Sequence, residues 1–102
     1  MELSVVQEKD HARFTAKGII DERGAEDLKQ RFRQLNLSTL KEVVFDFREV
    51  GYIGSAGIGK LLLFYKDLSS NNGTIRIENL SDSIYQLFTT LKLGDLLELS
   101  KA

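Results

Sequence analysis

The start of the chain alternates between apolar and polar side chains on both sides of a polar centre. Leu3 and Val5, and then Phe14 and Ala16, occupy every second position around the segment Gln-Glu-Lys-Asp-His. A period of two is typical of a strand that buries one face. The pattern therefore predicts a hairpin of two strands, near residues 2–7 and 12–18.

Three later segments carry apolar residues at the spacings of three and four that are typical of a helix. The first covers residues 22–36 and follows Asp21, which is well placed as an N-cap. The second covers residues 56–69, with Gly73 expected just beyond its end. The third covers residues 82–92, starts at Ser81 or Asp82 and ends before Gly94.

Short apolar segments between these helices predict the remaining strands. Residues 42–47 are apolar enough for a central strand, and residues 48–52 connect it to the next turn. Residues 74–78 alternate, and residues 96–99 are expected to form a short last strand. The order β-β-α-β-α-β-α-β predicts one α/β domain over residues 1–102, with helices packed on a mixed sheet. Its leading hairpin is antiparallel, and its crossovers are parallel and right-handed.

Composition narrows the classes of function. The 14 basic and 15 acidic residues leave a net charge of −1, without the excess of positive charge that nucleic-acid binding uses. The absence of cysteine and the single histidine argue against a thiolate or histidine-rich metal site, and no cofactor is expected. The longest apolar run is too short to span a membrane, and the N-terminus lacks signal-peptide character. These observations predict a soluble cytoplasmic domain without membrane insertion.

The segment with the strongest functional signal lies where the central strand runs into the second helix. It reads Val-Gly-Tyr-Ile-Gly-Ser-Ala-Gly-Ile-Gly over residues 50–59, and its one hydroxyl belongs to Ser55. Backbone N–H groups at a helix N-terminus favour negative charge. In parallel sheets, binding sites gather at the carboxyl ends of strands. The turns at 18–21 and 51–57 both follow strands there and are expected to be neighbours.

Spacing alone leaves three interpretations of this turn. Ser55 could simply cap the second helix. The run from Gly54 to Lys60 fits the phosphate-binding loop G-x-x-x-x-G-K, but Leu61 stands where the loop needs a magnesium-binding hydroxyl. Asp46 could be the phosphate acceptor of a receiver domain, although the accompanying acidic pair and lysine are missing. No acid–base or nucleophile–base pair can be assembled, so the sequence predicts no enzyme.

The same segment resembles the signature of anti-sigma-factor antagonists, which share the STAS domain with the tails of sulphate transporters. The family pattern is an aromatic and an aliphatic residue followed by Asp-Ser-Ser/Thr-Gly-Leu-Gly. Gly18-Ile19-Ile20-Asp21 also resembles the family's Gly-Glu-Leu-Asp segment, and the element order agrees over nearly the whole chain. Gly54 departs from the pattern by replacing the family's Asp, and Ala56 replaces its second hydroxyl.

The resemblance implies a bacterial signalling protein that, when unphosphorylated, binds an anti-sigma factor and so frees a sigma factor. That partner is also a serine kinase, and the phosphorylated position corresponds to Ser55. A phosphatase is a further expected partner, and the oligomeric state is expected to be a monomer or a weak dimer. The alternative is a phosphorylation-independent STAS scaffold or transporter-associated subunit, which Gly54 favours. The expected partner-binding residues are Gly18, Ile20, Asp21, Ile53, Gly54, Ser55, Ala56, Gly57 and Ile58.

Overall fold

The computed structural model describes residues 1–102 as a five-stranded sheet with three α-helices. The strands are β1 (Glu2–Glu8), β2 (His11–Ile20), β3 (Glu42–Ile53), β4 (Thr74–Leu80) and β5 (Glu98–Lys101). The helices are α1 (Glu22–Arg33), α2 (Ser55–Ser69) and α3 (Asp82–Thr90), followed by a 3₁₀ turn at Leu93–Asp95. None of them combines the length and the apolar composition needed to cross a membrane.

The strands lie in the sheet in the same order as in the sequence, β1-β2-β3-β4-β5. β1 and β2 are antiparallel, and every later neighbour is parallel. The predicted α/β fold with a mixed sheet is therefore confirmed. Because each right-handed crossover leads to the adjacent strand, the three helices all lie on one face of the sheet.

The core lies between the sheet and this helical layer. Five aromatic rings pack at its centre, where α1 and α2 cover β2 and β3. Phe32 of α1 stacks on Phe64 of α2 at a centroid distance of 4.1 Å, and Phe14 of β2 lies 4.7 Å from Phe45 of β3. This packing fixes α2 against β3, and so it also fixes the point where the two elements join.

The other face of the sheet is open and carries its own ion pairs. Arg13 donates to Asp46 at 3.1 Å and to Glu78 at 3.0 Å, and so joins β2, β3 and β4. Partial burial raises the pKa of Asp46, but hydrogen bonds from Asn79, from the backbone N–H of Arg48 and from Arg13 outweigh it. The net pKa therefore lies below the usual 3.8. The charges in the middle of this face thus satisfy one another.

The central strand is longer than predicted. Residues 48–52 were expected to be a connection, but β3 continues to Ile53. Its buried residues Phe47, Val50 and Ile53 are three apart, because the pairing of β2 with β3 shifts register twice. Such irregularities break the period of two on which strand prediction depends. The expected loop is therefore wrong, and strand and helix are almost contiguous.

Helix ends also differ from the prediction. α1 ends at Arg33 rather than at residue 36, and α3 ends at Thr90 rather than at 92. Lys92, not Gly94, adopts the left-handed conformation after α3, with φ of 61°, and the last strand then begins at Glu98 instead of 96. The expectation that glycine marks the stop was wrong there, because lysine accepts the strained position.

Two residues after α2, Asn72 and Gly73, contribute to the end of the helix in different ways. Asn72 takes the left-handed conformation, with φ of 61°. Gly73 is required for a different reason, because an added Cβ would lie 2.9 Å from Cδ2 of Leu68. The glycine therefore permits close packing at this point rather than a positive φ.

Candidate functional site

The carboxyl ends of β2 and β3 meet at one edge of the sheet. Ile20 is the register partner of Ile53, and the backbone N–H of Gly54 donates to the carbonyl oxygen of Ile20 at 2.9 Å. The expected proximity of the two turns is therefore confirmed. The start of α1 after β2 and the start of α2 after β3 form one continuous surface.

A single residue connects β3 to α2. Gly54 is the N-cap, with an extended backbone at φ −93° and ψ 179°, and Ser55 is already the first helical residue. The carbonyl oxygen of Gly54 accepts the N–H of Ile58 at 3.1 Å. Because Gly54 has no side chain, no side-chain hydrogen bond caps α2. The first N–H groups of this helix therefore have no side-chain acceptor.

Ser55 lies exposed at this helix start. The interpretation that it caps α2 is wrong, because the cap position belongs to Gly54. The other two helices show what a cap looks like in this fold. Asp21 accepts from the N–H of Gly24 at 2.9 Å, and Ser81 accepts from the N–H of Ile84 at 3.3 Å. Unlike the side chains of Asp21 and Ser81, the Ser55 hydroxyl therefore makes no capping hydrogen bond.

Three of the expected partner-binding residues lie in the core rather than on the surface. Ile20 is 0% exposed and Ile53 is 4% exposed, and Gly57 is buried against both. An added Cβ on Gly57 would lie 2.7 Å from Cγ2 of Ile20 and 2.8 Å from Cγ1 of Ile53. The expectation of direct contact must be corrected for these three. They hold α2 close to the strands and so support the exposed residues above them.

The remaining expected residues form the surface itself. Gly18, Asp21 and Ser55 are exposed, and Gly54, Ala56 and Ile58 are partly exposed. Gly18 has a φ of +109°, a conformation that residues with a Cβ rarely adopt, so a glycine is needed at that point of β2. Asp21 combines its capping bond with an exposed carboxylate, which leaves an oxygen accessible to a partner.

Two neighbours of this surface were not predicted from the sequence as site residues. Ile19 and Tyr52 are register partners on β2 and β3 and are 53% and 54% exposed. Residues alternate between the faces of a strand, so this pair lies opposite the buried pair Ile20 and Ile53. Alternation would have identified both residues, had the full length of β3 been recognised. The Tyr52 ring bends over Gly54, and its Oη atom lies 3.0 Å from where a Cβ on Gly54 would be.

The geometry contradicts the two chemical alternatives. A phosphate-binding loop needs a loop between strand and helix, but Gly57, Gly59 and Lys60 all lie inside α2. Asp46 lies within β3, where Arg13 and Asn79 hold its carboxylate, and not at a strand end as in a receiver. No group of three or more His, Cys, Asp or Glu side chains is arranged to hold a metal ion.

The concave parts of the surface lie elsewhere. One, of about 420 Å³, is on the open face of the sheet and includes Val6 and Val44. Another, of about 530 Å³, lies beside the end of α3 and includes Thr89 and Lys92. The Ser55 turn borders neither, so its surface suits contact with a protein better than enclosure of a small molecule.

Comparison with known proteins gives a consistent assignment. The STAS domain family profile matches residues 2–102. The chain is 28% identical over 102 residues to the anti-sigma-B factor antagonist of Bacillus subtilis (strain 168), covering 96% of this chain and 89% of that protein.

Solved structures extend the comparison of the fold. The unphosphorylated form of the anti-sigma factor antagonist SpoIIAA superposes with a TM-score of 0.80, at 14% identity, over 99% of this chain and 89% of that one. The phosphorylated form of SpoIIAA from Bacillus gives 0.77 at 15% identity, over 96% and 90%. A sulfate transporter family protein from Wolinella succinogenes gives 0.78 at 17% identity, over 93% and 80%. The fold alone therefore does not distinguish the signalling role from the transporter-associated one.

Proposed function

Because the chain belongs to the STAS domain family, we propose that it is an anti-sigma-factor antagonist. In this role it binds an anti-sigma factor in the cytoplasm and so frees a sigma factor. A relative named anti-sigma-B factor antagonist aligns over 96% of the chain. The observation that carries the proposal is Ser55, an exposed hydroxyl at the start of α2 with no capping role.

Phosphorylation of Ser55 is the proposed control. The phosphate adds about −1.5 to −2 charges at pH 7. At the first residue of α2 this charge meets the positive end of the helix dipole and backbone N–H groups without a side-chain acceptor. The modified domain therefore stays folded. The charge acts where a partner covers the turn, because an unpaired charge buried at an interface costs several kcal/mol.

The proposed contact surface consists of the exposed and partly exposed residues around the turn. Asp21 follows Ile20, whose carbonyl oxygen accepts the N–H of Gly54, and its exposed carboxylate suits a partner with an arginine or lysine at that place. Below the surface, Ile20, Ile53 and Gly57 keep α2 in register with the strands. The surface residues are Gly18, Asp21, Gly54, Ser55, Ala56 and Ile58.

In this proposal the chain is the substrate of a kinase and not a catalyst. The anti-sigma factor supplies the serine kinase activity, and a phosphatase restores the binding form. Gly54 stands where the resemblance expects an acid, so the kinase must accept a turn without that carboxylate. If it does not, the phosphorylation-independent scaffold is the remaining role.

The test uses the serine-kinase anti-sigma factors encoded in the same genome, each purified. The parent chain is incubated with each of them and with magnesium and ATP, and peptide mass spectrometry locates the phosphate. We expect one phosphate, at Ser55, and none on the Ser55→Ala variant. Phosphate at Ser81 or Ser83 instead would overturn the proposed control.

Binding is then measured for the parent, Ser55→Ala and Ser55→Asp by calorimetric titration. Ser55→Asp should bind the anti-sigma factor much more weakly, and Ser55→Ala should bind like the parent. Ser83→Asp is a matched control, because Ser83 is an exposed serine in the first turn of α3. If Ser55→Asp binds as tightly as the parent, phosphorylation control fails and the scaffold role replaces it.

A further inference from the structure

Tyr52 is the one exposed aromatic residue of the chain. Phe14, Phe32, Phe45, Phe47, Phe64 and Phe88 are all at most 2% exposed, and Tyr65 and Tyr85 are partly buried. Tyr52 is 54% exposed, although it lies in the long central strand of the sheet. Exposed aromatic rings are over-represented among the residues that dominate protein interfaces.

Its neighbours hold the ring over Gly54, the residue before Ser55. On one side lies Ile19, its register partner on β2, which is 53% exposed. Toward the turn, the phenol covers Gly54, where an added Cβ would lie 3.0 Å from Oη, 3.5 Å from Cε2 and 3.6 Å from Cζ. The position of the ring thus depends on the absence of a side chain at residue 54.

These contacts give Tyr52 the properties of an interface anchor. A ring that is already in place loses little conformational freedom when a partner covers it, so more of its apolar contact contributes to affinity. Residue 52 is only three positions from Ser55. Because the phenol covers Gly54, the residue before Ser55, a partner that covers the ring also approaches the start of α2.

The charged part of the open face does not offer an equivalent contact. Arg13, Asp46, Glu78 and Arg76 are engaged in ion pairs with one another. A partner would have to separate these pairs before using them, at a cost in desolvation. By contrast, more than half of the surface of Ile19 and of Tyr52 is exposed and takes part in no ion pair.

We propose that Tyr52 is the anchor by which the anti-sigma factor recognises the Ser55 turn, and that Gly54 is a positioning residue that leaves room for its ring. The proposal rests on the proposed function, because it assigns a contact to the same partner. It also gives Gly54 a purpose. Because Gly54 has no side chain, the ring of Tyr52 can cover the turn at that position.

The first experiment examines the free protein. Nuclear Overhauser effects are measured between the Tyr52 ring protons and the α-protons of Gly54 in the parent. Their presence is expected, and their absence would overturn the proposal. In Gly54→Ala the ring should swing toward solvent, with a changed pattern of contacts and a melting temperature close to that of the parent, because a half-exposed ring can move.

The second experiment measures affinity for the purified serine-kinase anti-sigma factor that binds the parent. Tyr52→Ala should weaken binding by about thirty-fold or more, the effect of a dominant interface residue. Gly54→Ala should weaken it by a smaller factor, and Tyr52→Phe should stay within about three-fold, because the ring carries the contact. Leu91→Ala is the control, since Leu91 is 48% exposed but lies beyond the far end of α3.

The outcomes separate this inference from the proposed function. If Tyr52→Ala binds like the parent while Ser55→Asp does not, the anchor is refuted and the antagonist role stands. If Ser55→Asp binds like the parent, the phosphorylation switch is refuted, whatever Tyr52 does. If no serine-kinase anti-sigma factor binds the parent, both proposals fall together.

Discussion

Helices α2 and α3 both begin where a parallel strand reaches the same edge of the sheet, but their first turns are built differently. At α3 the cap is Ser81, whose hydroxyl accepts the N–H of Ile84, and the Ile84 side chain is buried. At α2 the cap is Gly54, which has no side chain, and the third helical residue is Gly57.

The two helix starts differ in that one is stabilised by its side chains and the other leaves its serine exposed. The start of α3 gains a capping bond and a buried isoleucine, which are the usual ways to fix a helix end. The start of α2 gains neither. Its backbone instead lies close against Ile20 and Ile53, and its serine remains free for chemistry from outside. Four measurements test this contrast.

The largest effect is expected for Gly57→Ala. The added Cβ would lie under 3.0 Å from the buried side chains of Ile20 and Ile53, which must shift. Overpacking of this kind should lower the free energy of unfolding by about 1–3 kcal/mol. Gly59→Ala is the control in the same helix, since nothing lies within 4 Å of its Cβ position, and it should raise stability by about 0.4–1 kcal/mol. Equal stabilities in urea unfolding would mean that α2 does not start in close contact with the strands.

Asp46 links the two strands that lead to α2 and α3, and its removal should have the next largest effect. Asp46→Asn removes the carboxylate charge from the hydrogen bond that Arg13 donates, and should cost about 1–2 kcal/mol at pH 7. The folded pKa of Asp46 is lowered, so its contribution is complete above pH 3.8 and is lost as the pH falls through the folded pKa.

The measurement for Asp46 is the difference in unfolding free energy between parent and variant across this pH range. Glu49→Gln is a suitable control, because Glu49 is 57% exposed and lies 3.9 Å from Lys17. It should change stability by less than about 0.5 kcal/mol. A difference for Asp46→Asn that stays unchanged after the folded Asp46 carboxyl has been protonated would show that the charge is not responsible.

The two serines should respond differently to alanine. Ser81→Ala loses the capping bond to Ile84 and should cost about 1 kcal/mol. Ser55→Ala loses no cap and places a better helix former in the first turn, so its cost should be less than about 0.5 kcal/mol. Thermal unfolding of both variants provides the comparison. Equal losses would restore a capping role for Ser55.

The smallest effect concerns charge at the start of α2. Ser55→Asp should raise stability by about 0.3–1 kcal/mol, because a negative charge is favoured at a helix N-terminus. Ser55→Asn is the uncharged control. The gain should shrink at high salt, which screens exposed charges. A destabilised Ser55→Asp variant would imply that phosphorylation acts by disturbing the fold rather than an interface.

The sequence was sufficient for the order and type of the elements. The periods of two and of three to four are strong in the hairpin and in α3, and the alternation of strands and helices indicates parallel crossovers, but the strand order β1-β2-β3-β4-β5 was not predicted. The sequence was insufficient for the length of β3, because the pairing irregularities beside Gly18 place Phe47, Val50 and Ile53 at spacings that suit no regular strand.

The same limit applies to the site. The motif identified Ser55 and Asp21. A shift of one residue decides whether a serine is the N-cap or the first helical residue, and sequence patterns locate helix ends only to within one or two residues. Burial of Ile20, Ile53 and Gly57 depends on how closely α2 approaches the strands, which is a tertiary property. Tyr52 was missed because its segment was assigned to a connection.

The order of the strands also governs how the molecule is assembled. Each strand pairs with the one before it, so every crossover closes a loop of about twenty to thirty residues and none returns across the sheet. Closing loops of similar length costs similar chain entropy at each step, and the parallel pairs join residues that are far apart in the sequence, so they form more slowly than local contacts. Every strand after the first therefore has a pairing partner that precedes it in the chain. The Ser55 turn shares this property, because the residues that hold it, Ile20, Tyr52 and Ile53, all precede it in the sequence.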